Sequence, residues 1–324
     1  MNEKDLAVLE QYAVTVRETY RGRGFYVCVT DQGKMILQEY KGSEKRAALQ
    51  QRLLQHLKAE GYDRVDTPVT NLEGCVVTKD KDGNRYLLKE WMDGRECDVY
   101  RQEDLRQAAA NLARLHKLLR LSDAQVQYGE GLGYPDVVWR HNMELKKVRS
   151  FVRNKKNKTE FEFYFLQYFS MFHEKGVAVW HALLESGYET LRKTCQQEGQ
   201  FRHGEYSQHN VLFLGKMVGT VHFEHFQQDI AVGDLAHFMR KILEKYDWEE
   251  RLGRMILEEY NHIRPLSEEE LEYLKLRLAY PEKFWKLTNR YYNVNKAWIS
   301  GQNAAKLVRL VAQETQKDFF IKKL

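Results

Sequence analysis

Proline is scarce in this chain of 324 residues, with only four, and its four cysteines, Cys28, Cys75, Cys97 and Cys195, stand far apart without a C-x-x-C pair. Such spacing signals neither a disulfide framework nor a zinc knuckle, and it predicts reduced thiols. No stretch approaches the ~18 uninterrupted apolar residues of a membrane span. Met1 to Glu10 is charged where a signal peptide needs an apolar block. Synthesis in the cytoplasm, without a signal peptide and without a membrane span, is the expectation. Internal repeats and low-complexity tracts are also missing.

What is present suits a folded protein: 43% of the residues are hydrophobic and 30% charged, and the length fits two domains. The net charge of +5 is misleading, because Lys146, Lys147, Arg149, Arg153, Lys155, Lys156 and Lys158 crowd into one run without an acid. Basicity is therefore local and no argument for nucleic acid, and the run lacks the order of a nucleic-acid motif. It reads either as a surface for an acidic partner or as a solvated face.

Between Ala13 and Tyr40 apolar residues alternate (Val14, Val16; Phe25, Val27, Val29; Met35, Leu37) and glycine-containing turns interrupt them, which predicts antiparallel strands. A helical pattern runs from Ser43 to Glu60, with Gly61 as its stop. Strand signals return at Val65 to Val69, Gly74 to Thr78 and Arg85 to Trp91. Beyond Gly94 helices are expected from Asp104 to Leu119, from Val138 to about Glu198, and from Gly233 onward. One hairpin interrupts them, Val211 to Leu214 and Met217 to Phe223. The aromatic stretch Phe161, Phe163, Tyr164, Phe165, Tyr168, Phe169 and Phe172 is expected to pack a helical core, as are Trp285, Tyr291, Tyr292 and Trp298. A small sheet with one helix followed by a larger helical part is an α+β arrangement, with a cleft where ligands would bind.

The chemically informative segment is His203-Gly204-Glu205-Tyr206-Ser207-Gln208-His209-Asn210, followed by the hairpin, by Val221-His222-Phe223-Glu224, and by Asp234-Leu235-Ala236. It resembles the aminoglycoside phosphotransferase and choline kinase superfamily, a branch of the protein-kinase-like fold. Glu39 to Ser43 and Lys89-Glu90-Trp91-Met92-Asp93-Gly94-Arg95-Glu96 look most like the CotS-type spore coat proteins of endospore-forming bacteria. The resemblance implies a two-lobed fold: residues 1–92 as a sheet-plus-helix lobe and 93–324 as a helical lobe carrying the catalytic-loop-like segment 203–224. It also implies a place in the spore coat among other coat proteins.

In a site of this kind an acid accepts the substrate hydroxyl proton, an Asn and an Asp hold Mg²⁺ on the ATP phosphates, and a lysine steadies them. By resemblance, the base falls on Glu205, one methylene longer than the family's Asp, and the Asn on Asn210. The metal-binding Asp falls on His222, whose imidazole supplies neither charge nor oxygen. Glu224 lies two residues on, hence on the same face of a strand but one repeat of about 6.6–6.8 Å away, too far to substitute in place. The lysine position falls on Gln38, and Gln50 or Gln51 stands where its glutamate partner would be, so the ion pair is expected to be missing. Trp91 and Met92 either line an adenine slot at the hinge or pack the junction. His203 is expected to brace the loop and Asp234 to brace or cap a helix.

These departures favour a non-catalytic binding or structural protein, a pseudokinase, with a nucleotide or other small molecule as its possible ligand. The alternative is an active ATP- and Mg²⁺-dependent small-molecule kinase acting on a hydroxyl or amine, with Glu205 as base and Asn210 plus Glu224 around the metal. A transition-metal site at His222, Glu224 and His225 is the least favoured reading, because no recognised ligand spacing is present and adjacent strand residues face opposite ways.

Overall fold

The computed structural model describes residues 3–22, 24–121, 131–293 and 300–324. The chain divides into two compact units, one of residues 1–123 with 198–227 and the other of 124–197 with 228–324. The division expected at 92/93 falls inside the first of these.

The first unit is built on an antiparallel sheet. A 3-10 helix, Glu3–Gln11, precedes β1 (Val16–Arg21), β2 (Phe25–Thr30) and β3 (Gly33–Glu39). Helix α1 (Glu44–Ala59) follows, then β4 (Thr78–Lys79) and β5 (Arg85–Glu90), in the sheet order β1-β2-β3-β5-β4. Alternation gives the sheet two faces. Met35 and Leu37 lie opposite Cys28, Tyr26 and Leu88 and pack with Val8, Leu9 and Tyr12. Ile36 and Gln38 lie opposite Lys89 and Leu87 on the other face, where Leu87 packs with Ala47 of α1. The Ser43 hydroxyl caps α1 by accepting the Arg46 N–H, as its sequence position predicts.

Val65 to Val69 is not a strand; it makes only isolated bridges, Val65 to Thr220 and Pro68 to Lys89. Pro68 has no N–H for a ladder, and the Asp66 side chain is drawn into an ion pair instead. The expected strand Gly74 to Thr78 is likewise reduced to Thr78–Lys79.

A short strand and a helix carry the chain onward: β6 (Arg95–Glu96) and α2 (Gln102–Leu118). After the second unit's α3 (Tyr134–Asn154), α4 (Glu160–Glu185) and α5 (Tyr188–Gln197), β7 (Phe201–Arg202), β8 (Val211–Leu214) and β9 (Met217–Thr220) return to the first unit. Strands β6, β8 and β9 form a second small sheet. A buried polar network holds α2 to it. The Tyr62 hydroxyl donates to Asn111 Oδ1 (3.0 Å) and lies 2.7 Å from Thr220 Oγ1, while Asn111 Nδ2 donates to Tyr206 Oη (3.1 Å) and Thr220 Oγ1 (3.0 Å).

The second unit continues with α6 (Val232–Leu243), α7 (Glu250–Ile263), α8 (Glu268–Ala279), α9 (Glu282–Asn293) and α10 (Ser300–Lys323). Its core is the expected aromatic one: Phe161, Phe165, Phe169 and Phe172 of α4 pack with Leu145, Phe284 and Leu307. Phe163 departs from the expectation, because its place on α4 turns it to solvent at 62% exposure. Trp285, Tyr291 and Tyr292 are half-buried against the core, whereas Trp298 lies outside the described residues. In the basic run Lys155 pairs with Glu162 (2.6 Å) and Arg149 covers the Phe169 ring (4.7 Å), so part of that charge is engaged internally. Cys28, Cys97 and Cys195 are buried, Cys75 is exposed, and none of the four forms a disulfide among the described residues. Among the described residues no helix is long and apolar enough to cross a membrane.

Candidate functional site

Two features of the first unit bring the sequence-predicted residues together. The first is the loop from His203 to Asn210. His203 is fully buried; its Nδ1 accepts the Glu205 N–H (3.2 Å) and its Nε2 donates to the Val221 carbonyl (2.9 Å), which fixes the Nε2–H tautomer. Gly204 has φ +86°, and a Cβ there would stand 2.0 Å from the His225 carbonyl oxygen, so the turn requires glycine. Tyr206 Oη donates to the Ala108 carbonyl (2.8 Å), and Asn210 Nδ2 donates to the Glu205 carbonyl (2.9 Å). The Glu205 carboxylate is about half exposed, with Oε2 3.4 Å from His225 Nε2.

The second feature is the turn that ends the hairpin. The strand expected to run to Phe223 stops at Thr220, and His222 adopts a left-handed conformation at φ 67°, ψ 55°. Histidine is among the residues enriched there. Its backbone N–H donates to Asp66 Oδ2 (3.0 Å). From α1, Arg46 Nη2 donates to the carbonyls of Glu224 (2.9 Å) and Phe226 (2.7 Å), with its guanidinium 4.5 Å from the Phe226 ring centre. The turn cancels the strand spacing expected between His222 and Glu224: His222 Nδ1 lies 3.7 Å from Glu224 Oε2. His225 goes elsewhere, to Glu205, so the grouping of His222, Glu224 and His225 does not form.

At the centre stands a residue that the sequence reading placed only in the hinge run. Lys89 of β5 is fully buried; its Nζ donates to Asp66 Oδ2 (2.7 Å) and to Glu224 Oε1. The expectation of a site without a buried ammonium is thereby overturned: the ammonium comes from β5 and not from Gln38 on β3. The alternation Leu87, Lys89 put it on an inward position, but its partners lie far away in sequence. Burial alone would lower the Lys89 pKa, yet Asp66 and Glu224 outweigh it and raise the pKa above the usual lysine value. For Glu224 burial opposes ionisation, but Lys89 and His222 hold the carboxyl well below the ordinary range. Burial would likewise lower His222, and the neighbouring Glu224 carboxylate leaves it raised.

Gln38 occupies the inward side of β3 with Oε1 buried and without a hydrogen-bond partner among the described residues, and Gln50 on α1 has both amide atoms in that state. Gln51 is engaged otherwise, donating to the Pro68 carbonyl (2.9 Å). Trp91 packs against Phe25 (ring centres 5.6 Å apart) and donates to Asp93 Oδ1 (3.1 Å). Met92 is half-buried, its Sδ beside Gly219. Asp234 belongs to the second unit, buried in the first turn of α6; the N-cap of that helix is Ala231, so Asp234 is no cap.

The family model described as "Spore coat putative kinase YutH" matches residues 5–324. The chain belongs to that family. It is also 21% identical over 315 residues to spore coat protein S of Bacillus subtilis (strain 168), covering 96% of this chain and 89% of that protein. A crystal structure of an aminoglycoside phosphotransferase from Alicyclobacillus acidocaldarius superposes with a TM-score of 0.84 at 16% identity, covering 98% of this chain and 94% of that one. A choline kinase from Cryptosporidium parvum Iowa II gives 0.52 at 10% identity, covering 99% and 97%. The YutH-family chain therefore has a protein-kinase-like α+β fold, in agreement with the resemblance carried by its motifs.

Proposed function

We propose that this chain is a spore coat component with a kinase-like fold that does not transfer phosphate, a pseudokinase serving as a binding or structural part of the coat among other coat proteins. The observation that carries this reading is the imidazole at position 222, where the resemblance assigns the metal-binding carboxylate. Mg²⁺ requires six oxygens in near-octahedral order. Here the neighbouring groups are a ring nitrogen and two carboxylates already bonded to Lys89. These residues do not fit magnesium.

A titration with ATP, with and without Mg²⁺, tests the reading. A ligand at one hundred times its Kd adds about 2.7 kcal/mol of stability. Metal-dependent ATP turnover would refute the proposal, and a metal-dependent rise in Tm of several degrees would count heavily against it; an unchanged Tm together with absent turnover is the expected result. A fluorescent fusion in a sporulating bacterium tests the coat assignment, with a ring around the spore as the expected image.

Active transfer to a small-molecule hydroxyl or amine is the second reading. It is favoured by the intact loop, in which Asn210 bonds the Glu205 backbone, and by the presence of Lys89. Under it Glu205→Ala would abolish ATP turnover; a background unaffected by that change leaves the first reading standing.

A further inference from the structure

We propose that the Lys89 ammonium is the resident cation of the group formed by Asp66, His222 and Glu224, held in the place that a divalent ion would take among these ligands. One ligand atom from each of the three side chains lies within 4.8 Å of the others, the spacing of a metal-binding group. The ammonium bonds both carboxylates from within that group. A second observation points the same way. Asp66 is 1% exposed and its Oδ1 is buried with no hydrogen-bond partner among the described residues, so Lys89 is the cation that its carboxylate meets there, on the Oδ2 that also accepts the His222 N–H.

A buried carboxylate, Asp66, and a partly buried one, Glu224, together demand a positive partner, and Lys89 supplies a single charge from a strand that is itself fixed in the sheet. A divalent ion would have to displace that ammonium, leaving a buried, unpaired Lys89, which opposes its entry. Without the ammonium the same side chains offer one imidazole nitrogen and two carboxylates, a set suited to Zn²⁺ or Mn²⁺ more than to Mg²⁺. This inference stands apart from the pseudokinase reading, because a chain that handled phosphate with Lys89 as its sole cation would satisfy it equally.

The test uses the full chain, free of any histidine tag and stripped with chelator, titrated separately with Zn²⁺, Mn²⁺ and Mg²⁺ against a chromophoric competitor. The wild type is expected to take up no stoichiometric ion at this group. Lys89→Ala is expected to gain one equivalent of Zn²⁺ or Mn²⁺, and the added change His222→Ala to abolish the gain. Uptake of one equivalent by the wild type that disappears in Glu224→Gln would overturn the proposal. So would a Lys89→Ala protein that is folded by circular dichroism and gains nothing. Should that variant fail to fold, Lys89→Gln replaces it. If both fail, the wild-type titration decides alone, Glu224-dependent uptake refuting the proposal and its absence supporting it.

Discussion

Lys89 Nζ lies 2.7 Å from Asp66 Oδ2, and through that bond the fifth strand holds the segment that follows the first helix. Both side chains are essentially without solvent contact, at 0% and 1% exposure. Removing one member of such a pair leaves an uncompensated buried charge, which costs about 3–5 kcal/mol. Lys89→Met should therefore lower stability by that amount in urea denaturation. Glu224→Gln should cost less, because Glu224 retains contact with solvent. Equal losses from the two changes would show that Asp66 is not the main partner.

The same cluster predicts a pH signature. Glu224 is ionised in the folded state well below its unfolded value, so its contribution is present above about pH 4.3 and is lost as the pH falls through the folded value. His222 is raised in the folded state, so its contribution is full below about pH 6.5 and fades as the pH rises through the folded value. The two contributions coexist between those limits. The difference in Tm between wild type and Glu224→Gln should be greatest there and should narrow on both sides. A difference that keeps growing above neutrality would contradict the assignment of His222.

Much of this arrangement was legible from local signals. Ser43 and Gly61 bracket α1 because capping and stopping are short-range chemistry, and the hairpin strand β8 follows from its own apolar run. The loop from His203 to Asn210 was readable as a motif. Two things were not. The left-handed turn at His222 depends on Asp66 receiving its N–H and on Arg46 holding the carbonyls beyond it, contacts separated by 156 and 178 residues. Likewise, Lys89 meets partners 23 and 135 residues away, so its alternation gave a face and no partner. An ion pair of that kind is decided by the fold, and sequence periodicity carries no information about it.

Asn111 is the hub of the network that ties α2 to β9 and to Tyr206. Asn111→Leu would preserve approximate volume and strand the hydroxyls of Tyr62 and Thr220 with fewer partners, each unsatisfied group costing about 1–3 kcal/mol. The expected outcome is a loss of a few kcal/mol in chemical denaturation. Asn111→Asp should partly restore the Tyr62 bond, because the acceptor remains. Indifference to Asn111→Leu would mean that the network does not anchor the hairpin.

Gln50 gives a prediction of opposite sign. The side chain is only 1% exposed, and its amide nitrogen and oxygen are both buried without a hydrogen-bond partner among the described residues. Burying an amide without compensation costs about 1–3 kcal/mol, whereas a thioether of similar length incurs no such cost and adapts to irregular space. Gln50→Met should therefore raise stability by about 1 kcal/mol, visible as a higher urea midpoint at unchanged slope. Gln50→Glu should do the reverse, because a buried carboxylate costs more than a buried amide and the Lys89 ammonium on this face of the sheet is already bonded to Asp66 and Glu224. A stabilising Gln50→Glu would mean that Lys89 or another cation reaches the new carboxylate.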